Sequence, residues 1–231
     1  MNSLDTSIQI FLTHAAVRSE LFNHAIRTIA EFYLFRGVLP LAILYAIWFN
    51  PGVREQWRRE MVVATIFSGL LALFFGRILA HYLPFRVRPV YDPGSHLTLP
   101  LAGTSEAVLR TWSSFPSDHA MLWASIAMGI FLACRWAGVV AFLHFAIFIC
   151  LPRVYLGLHY PTDVLAGALL GIVVTYVTTR EKVRVRFAPT LVRLMDEFPA
   201  VSYAFAFVLF FELATMFDEP RQLAQSILNA W

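Results

Sequence analysis

The sequence predicts an all-α, polytopic membrane bundle of about six transmembrane helices with an N-terminal amphipathic helix, folded as a single domain over residues 1–231. Three observations carry that prediction. Hydrophobic residues make up 58% of the chain and charged residues only 14%, against about 25% charged in soluble domains. The mean hydropathy is +0.64, so much of the apolar surface has to meet lipid. The apolar residues also fall into long runs, and a helix that crosses a bilayer takes about 20 of them.

The elements follow in order. TSIQIFLTHAAVRSELFNHAI, near the start, has apolar residues at helical spacing among polar ones. That is the pattern of a helix lying on the membrane surface, with a poorly ordered tail as the alternative. The first 25 residues lack a basic start followed by an apolar core, so no cleavable leader is expected. Spans are expected at roughly 28–49, 61–83, 119–134, 136–153, 162–179 and 200–217. The third and fourth are short and share a break near Arg135 and Trp136. Between the second and third, residues 84–118 hold Pro84, Pro89, Pro93, Gly94, Pro100 and Gly103. These residues make a loop by turn chemistry, and ordered loops of that length are often functional. Cys134 and Cys150 lie in apolar runs near opposite ends of their helices. They are expected to be small core residues without a disulfide between them.

Six spans place the connections alternately on two faces. One face collects Arg54, Arg58, Arg59, Arg135, Arg180, Lys182, Arg184, Arg186 and Arg193, which makes it cytoplasmic by the positive-inside rule. The net charge of +3 comes almost wholly from arginine, the residue best suited to phosphate. The arginines are scattered among membrane segments, which excludes nucleic acid. The expected partners are bilayer lipids and an anionic ligand; the sequence does not fix an oligomeric state.

Three polar clusters meet on the non-cytoplasmic face. HYLPFRVRP closes the second span with His81, Arg86, Arg88 and Pro89. FPSDH opens the third with Ser117, Asp118 and His119. RVYLGLHYPTD joins the fourth to the fifth with Arg153, His159 and Asp163. Unpaired N–H groups and the dipole at a helix start favour an anion, and Pro161 suits the start of the fifth span. Two helix starts therefore aim at one compartment, where Arg88 and Arg153 can clamp phosphoryl oxygens and Ser117 can donate. His159 and Asp163 are four residues apart, so the carboxylate can hold Nδ1–H and leave Nε2 as a nucleophile. His119 is then available as a general acid. Taken singly, each residue has a plainer role: an interfacial histidine, a helix cap at Asp163, a lipid-headgroup arginine. Their conjunction on one face has no plain account. Glu31, Arg36, Arg77 and Glu212 reach further into the membrane. Arg77 is either functional by its depth or snorkels to the interface.

These residues resemble the type 2 phosphatidic acid phosphatase superfamily. Its signatures Lys-x6-Arg-Pro, Pro-Ser-Gly-His and Ser-Arg-x5-His-x3-Asp appear as His81-x6-Arg88-Pro89, Pro116-Ser117-Asp118-His119 and Pro152-Arg153-x5-His159-x3-Asp163. The resemblance implies a phosphohistidine mechanism without metal or other cofactor. In it His159 attacks phosphorus, oriented by Asp163, and His119 protonates the leaving group. Arg88, Arg153 and Ser117 hold the phosphoryl oxygens. His81 stands where the family has lysine, so Arg77 or Arg86 is a candidate for the missing charge. Asp118 replaces glycine, and it pairs with Arg153, with Arg88 or with its own helix dipole. FPSDHA followed by YLGLHYPTD looks like the bacterial undecaprenyl-diphosphate phosphatase branch, whose substrate is a lipid diphosphate at the outer face of the cytoplasmic membrane. A phosphatase of phosphatidate or phosphatidylglycerophosphate is the nearest rival. A non-catalytic lipid-phosphate transporter or binder is the rival of another class.

Overall fold

A computed structural model describes residues 3–16, 19–93 and 110–228 of the chain. Among them every regular element is helical. In order they are α1 (Ser3–Ala16), α2 (Glu20–Glu31), α3 (Leu39–Trp48), α4 (Glu55–Tyr82), α5 (Asp118–Ala133), α6 (Arg135–His144), α7 (Leu151–Tyr155), α8 (Pro161–Thr178), α9 (Glu181–Arg184), α10 (Ala188–Glu197), α11 (Pro199–Thr215) and α12 (Asp218–Leu228). Two wide π-turns interrupt them, at Leu34–Val38 and Phe145–Cys150. Each lies just before a proline, Pro40 or Pro152. A proline ring collides with the carbonyl four residues back, and widening the ladder locally relieves that collision while the helix continues.

The candidate spans differ in kind. Glu55–Tyr82, Arg135–Tyr155 and Pro161–Thr178 are each long and apolar enough to cross a bilayer. The predicted first span is instead a pair of helices, Glu20–Glu31 and Leu34–Trp48, bent by 63° at the break, and the last bends by 80° beyond Thr215. Met216 and Phe217 make that second bend with φ of 56° and 57°. The single amphipathic helix expected over residues 6–26 is likewise divided, since α2 starts afresh at Glu20 with Ser19 as its cap.

α5 is the centre of the bundle. Residues Ala120 to Ala127 are buried without interruption, so the helix is apolar on every face because protein surrounds it. At 16 residues and about 1.5 Å per residue, it falls short of the roughly 30 Å of hydrocarbon that a lone span must cross. α4 and α8 pack on it through small residues. A Cβ on Gly76 would stand 2.9 Å from the Met121 sulfur, and one on Gly167 would stand 2.5 Å from the Ser117 carbonyl. Small residues let membrane helices approach and hydroxyls bond across the seam. Ser125 and Thr175 do so at 2.6 Å, and Ser68 bonds Thr178. The close seams fix the starts of α5 and α8 side by side.

The break before Arg135 falls where expected, with Cys134 extended between α5 and α6. Both cysteines are free. Cys134, however, is exposed at this break and is not a core residue, while Cys150 is partly covered. On the arginine-rich face, Arg59 pairs with Glu55 and Asp196, and Arg184 pairs with Glu60.

Candidate active site

The end of α4, the start of α5 and the α7–α8 link lie at one end of the bundle. Leu83 ends α4 with its N–H on the Leu79 carbonyl, and Pro84 prevents continuation. The chain then runs extended through Arg86 and Arg88. It is tied on both sides: Ser114 N–H donates to the Arg86 carbonyl at 2.8 Å, and Val90 N–H to the Gly157 carbonyl at 3.0 Å. Gly157 has φ of 72°, a conformation that favours glycine. It turns the chain out of α7 so that His159 points inward.

His159 is 2% exposed. Its Nδ1 lies 2.8 Å from the Ser114 carbonyl, which only accepts, so Nδ1 carries the proton. Its Nε2 lies 3.3 Å from Arg88 Nη1, which only donates, so Nε2 presents a lone pair. Burial, reinforced by the Arg88 cation, holds its pKa well below the ordinary 6.5. The ring is thus a neutral imidazole with one basic nitrogen aimed at an arginine-lined space. Arg77, Arg88, Trp112, Pro116, Asp118 and His159 line that cavity.

His119 occupies the first turn of α5. Its Nδ1 is 3.0 Å from Asp118 Oδ1, which also accepts the His119 backbone N–H at 2.8 Å. Its Nε2 is 3.4 Å from Arg36 Nη1. The two imidazoles, Asp118, Arg88 and Arg153 all lie within electrostatic range of one another. Among the described residues the Arg153 guanidinium has no hydrogen-bond or ion-pair partner. A guanidinium with its donors uncommitted, beside two imidazoles, suits an incoming phosphoryl group.

Several expected roles change. Asp163 does not hydrogen-bond His159 directly: its Oδ2 stands 3.9 Å from Nδ1, near enough to act as a charge but not to accept the proton. It accepts from the Ser114 hydroxyl, from Tyr160 N–H at 2.9 Å and from Arg86. It therefore fixes Ser114, whose carbonyl orients His159, and is a positioning residue. Arg86 is not a spare cation for phosphate. Its guanidinium bridges Asp163 and Asp5 and covers the Tyr160 ring at 4.0 Å. Asp118 pairs with neither Arg88 nor Arg153; it orients His119, and as an acceptor it is no phosphate ligand. Ser117 is fully buried. Its hydroxyl accepts Ala120 N–H at 3.4 Å and its own N–H goes to the Asp163 carbonyl at 3.2 Å, so it caps α5. His81 lies in an outer cleft with Arg77, Phe85 and Trp112, outside the inner cavity, and stacks edge-on against Tyr82. Arg77 does not snorkel, since it donates to the Met216 carbonyl at 2.8 Å and reaches the inner cavity.

The second expected anion site is also filled. Asp5, from α1, accepts Thr162 N–H at 3.0 Å and the Thr162 hydroxyl at 2.8 Å. The start of α8 thus holds a carboxylate of the chain itself. Sequence reasoning missed Asp5, Ser114 and the His119 contact of Arg36. The paired serines ahead of Pro116 were a local signal for Ser114; Asp5 bonds a residue 157 positions away and left none.

Known proteins resemble the chain over a large part of its length. It is 27% identical over 166 residues to the bacitracin transport permease protein BcrC of Bacillus licheniformis, covering 70% of this chain and 72% of that one. It is 36% identical over 114 residues to a lipid A 1-phosphatase of Rhizobium johnstonii, covering 46% and 40%. It is 26% identical over 124 residues to an undecaprenyl-diphosphatase of Sulfolobus acidocaldarius, covering 53% and 55%. The chain thus spans about half the length of the last two. Residues 59–186, more than half of the sequence and the stretch that holds both imidazoles, match the pattern of the PAP2 superfamily, and the chain belongs to that family.

Proposed function

We propose that this membrane protein is a hydrolase that removes the terminal phosphate of a polyprenyl diphosphate, undecaprenyl diphosphate above all, through a phosphohistidine on His159. The observation that carries the reading is the fixed tautomer of His159, with Nδ1–H on the Ser114 carbonyl and the Nε2 lone pair facing Arg88. Similarity to an undecaprenyl-diphosphatase supports the substrate. The arginine-rich face on the opposite side of the bundle supports a site on the periplasmic or extracellular face of a bacterial cytoplasmic membrane.

The reaction runs in two displacements. Nε2 of His159 attacks the terminal phosphorus, and the bond from phosphorus to the bridging oxygen breaks. The lipid monophosphate departs with the bridging oxygen, protonated by His119. A water then attacks the phosphohistidine, gives its proton to His119, and inorganic phosphate leaves as the phosphorus–nitrogen bond breaks. Arg88 and Arg153 counter the charge on the equatorial oxygens, the largest contribution expected in such a site. General acid catalysis typically adds about 10²- to 10⁴-fold, and the share of His119 is smallest for a good leaving group. The lipid tail stays in the bilayer, and the headgroup enters from the side.

Phosphate release from purified protein tests the reading, with a panel of lipid mono- and diphosphates and with or without chelator. His159→Ala is expected to abolish turnover, and the chelator to leave it intact. A fully active His159→Ala protein, or turnover lost to the chelator, overturns the mechanism. A clear preference for phosphatidate or lipid A overturns the substrate.

A further inference from the structure

Arg36 has no role in the reaction as described, and its surroundings are unusual. It lies in the π-turn before Pro40, just after the bend that follows α2, and is 8% exposed. Its Nη1 stands 3.4 Å from His119 Nε2, and its Nη2 donates to the Glu31 carbonyl at 3.1 Å. The Tyr33 ring lies 4.5 Å beneath it. Its Nε is buried without a hydrogen-bond partner. Among the described residues no carboxylate pairs with it: the nearby Asp218 is engaged by Tyr33 at 3.3 Å and Arg221 at 2.5 Å. Asp218 acts on Arg36 only through space, its own oxygens being so engaged, and a buried guanidinium with no directly paired anion is costly, so the site can take the anion that a substrate brings.

We infer that Arg36 binds the phosphate that stays on the lipid, and so selects a diphosphate over a monoester. This rests on the phosphatase reading above. His119 must meet the bridging oxygen through Nε2, and Arg36 stands on that nitrogen. Whatever is bonded to the bridging oxygen is therefore presented to Arg36. In a glycerolipid monophosphate that atom is carbon. In a diphosphate it is a second phosphorus, whose oxygens a guanidinium holds in its fork. The same contact explains how the acid is charged. While Arg36 donates to Nε2, that nitrogen cannot carry a proton. A phosphate that draws Arg36 away frees Nε2 to take one from solvent and pass it to the bridging oxygen.

The two leaving groups make different demands. An alkoxide, whose conjugate acid is about as weak an acid as water, cannot leave without its proton. A phosphate monoester, with a second pKa of about 6, leaves readily once its charge is countered. Arg36 therefore matters most for the diphosphate and His119 most for the monoester.

The experiment measures kcat/KM for polyprenyl diphosphate and phosphatidate in wild type, Arg36→Gln, Arg36→Lys and His119→Ala. Arg36→Gln is expected to lose about 10- to 100-fold more on the diphosphate than on phosphatidate, the effect of deleting a charged hydrogen bond. Arg36→Lys recovers part of it, and His119→Ala shows the reverse preference. Equal losses on both lipids from Arg36→Gln overturn the inference and leave Arg36 as support for His119. Folding of the variants is bypassed by a second measurement on the wild type. Methylenediphosphonate should inhibit at least about tenfold more tightly than methylphosphonate, and equal inhibition again overturns the inference. Wild-type protein that releases phosphate from neither lipid overturns the phosphatase reading itself.

Discussion

His159 sits almost wholly out of solvent, and the Arg88 guanidinium stands against its one basic nitrogen. Both conditions disfavour imidazolium, burial more than the neighbouring charge, so its pKa lies below 6.5. As the pH falls through 6.5 the ring in the folded protein remains neutral and nucleophilic. The acid limb of kcat/KM is therefore expected to have its midpoint below pH 6.5. A pH–rate profile with that midpoint at or above 6.5 contradicts the burial argument. The sign for stability is the opposite of a salt-bridged histidine. Below pH 6.5 the unfolded chain takes a proton that the folded site refuses, so this residue makes the protein less stable as the pH drops. At this scale the sequence singled out the two imidazoles, Arg88 and Arg153 from three short motifs, and the fold brings those motifs to one end of the bundle. The partner of His159 Nδ1 was not legible. Two carboxylate oxygens four residues on looked sufficient, but the Ser114 carbonyl, 45 positions earlier, is closer.

α1 shows how an element can be read correctly and understood wrongly. Its mixed polar and apolar spacing is that of a surface helix, and it is helical. Its Asp5 nevertheless reaches inward, where it is fully buried against Arg86 and the start of α8. A carboxylate at that position accepts the Thr162 N–H and hydroxyl and places Arg86, which in turn braces Asp163 and Ser114. The first helix is thus an outer layer of the active site. Asp5→Asn keeps the shape but removes the charge, and is expected to cost about 1–3 kcal/mol of stability together with a measurable fall in kcat. Thermal unfolding and activity assays in detergent check both. If α1 only rests on the membrane, the substitution will be silent. α5 carries the converse lesson. Hydropathy marked it as a span because it is apolar all round, yet its surroundings are protein on nearly every side. Periodicity separates buried from exposed faces only when a helix has an exposed face, so the sequence could not distinguish lipid from neighbouring helices.

The whole molecule separates two chemistries along its axis. The imidazoles and Arg36, Arg88 and Arg153 gather at one end; Arg59, Arg184 and their acidic partners brace the other. Hydropathy predicted six spans; among the described residues three helices are long and apolar enough to cross, or up to five if each bent pair is one span, and the 63° and 80° bends were not legible because they arise at single backbone turns, Phe32 leaving α2 extended and Met216–Phe217 at positive φ. Orientation is the expectation at this scale that rests on charge alone, and Cys134 offers a native probe of it. The thiol is free and exposed at the α5–α6 break, next to Arg135 and on the arginine-rich face. Cys150 lies partly covered inside the apolar run from Arg135 to Tyr155, where lipid shields it from a charged reagent. A membrane-impermeant maleimide is therefore expected to label inverted vesicles and not intact cells, and Cys134→Ser to abolish the signal. Labelling in intact cells reverses the molecule. It would put His159 on the cytoplasmic side, where a diphosphate carrier displayed at the outer surface cannot reach it.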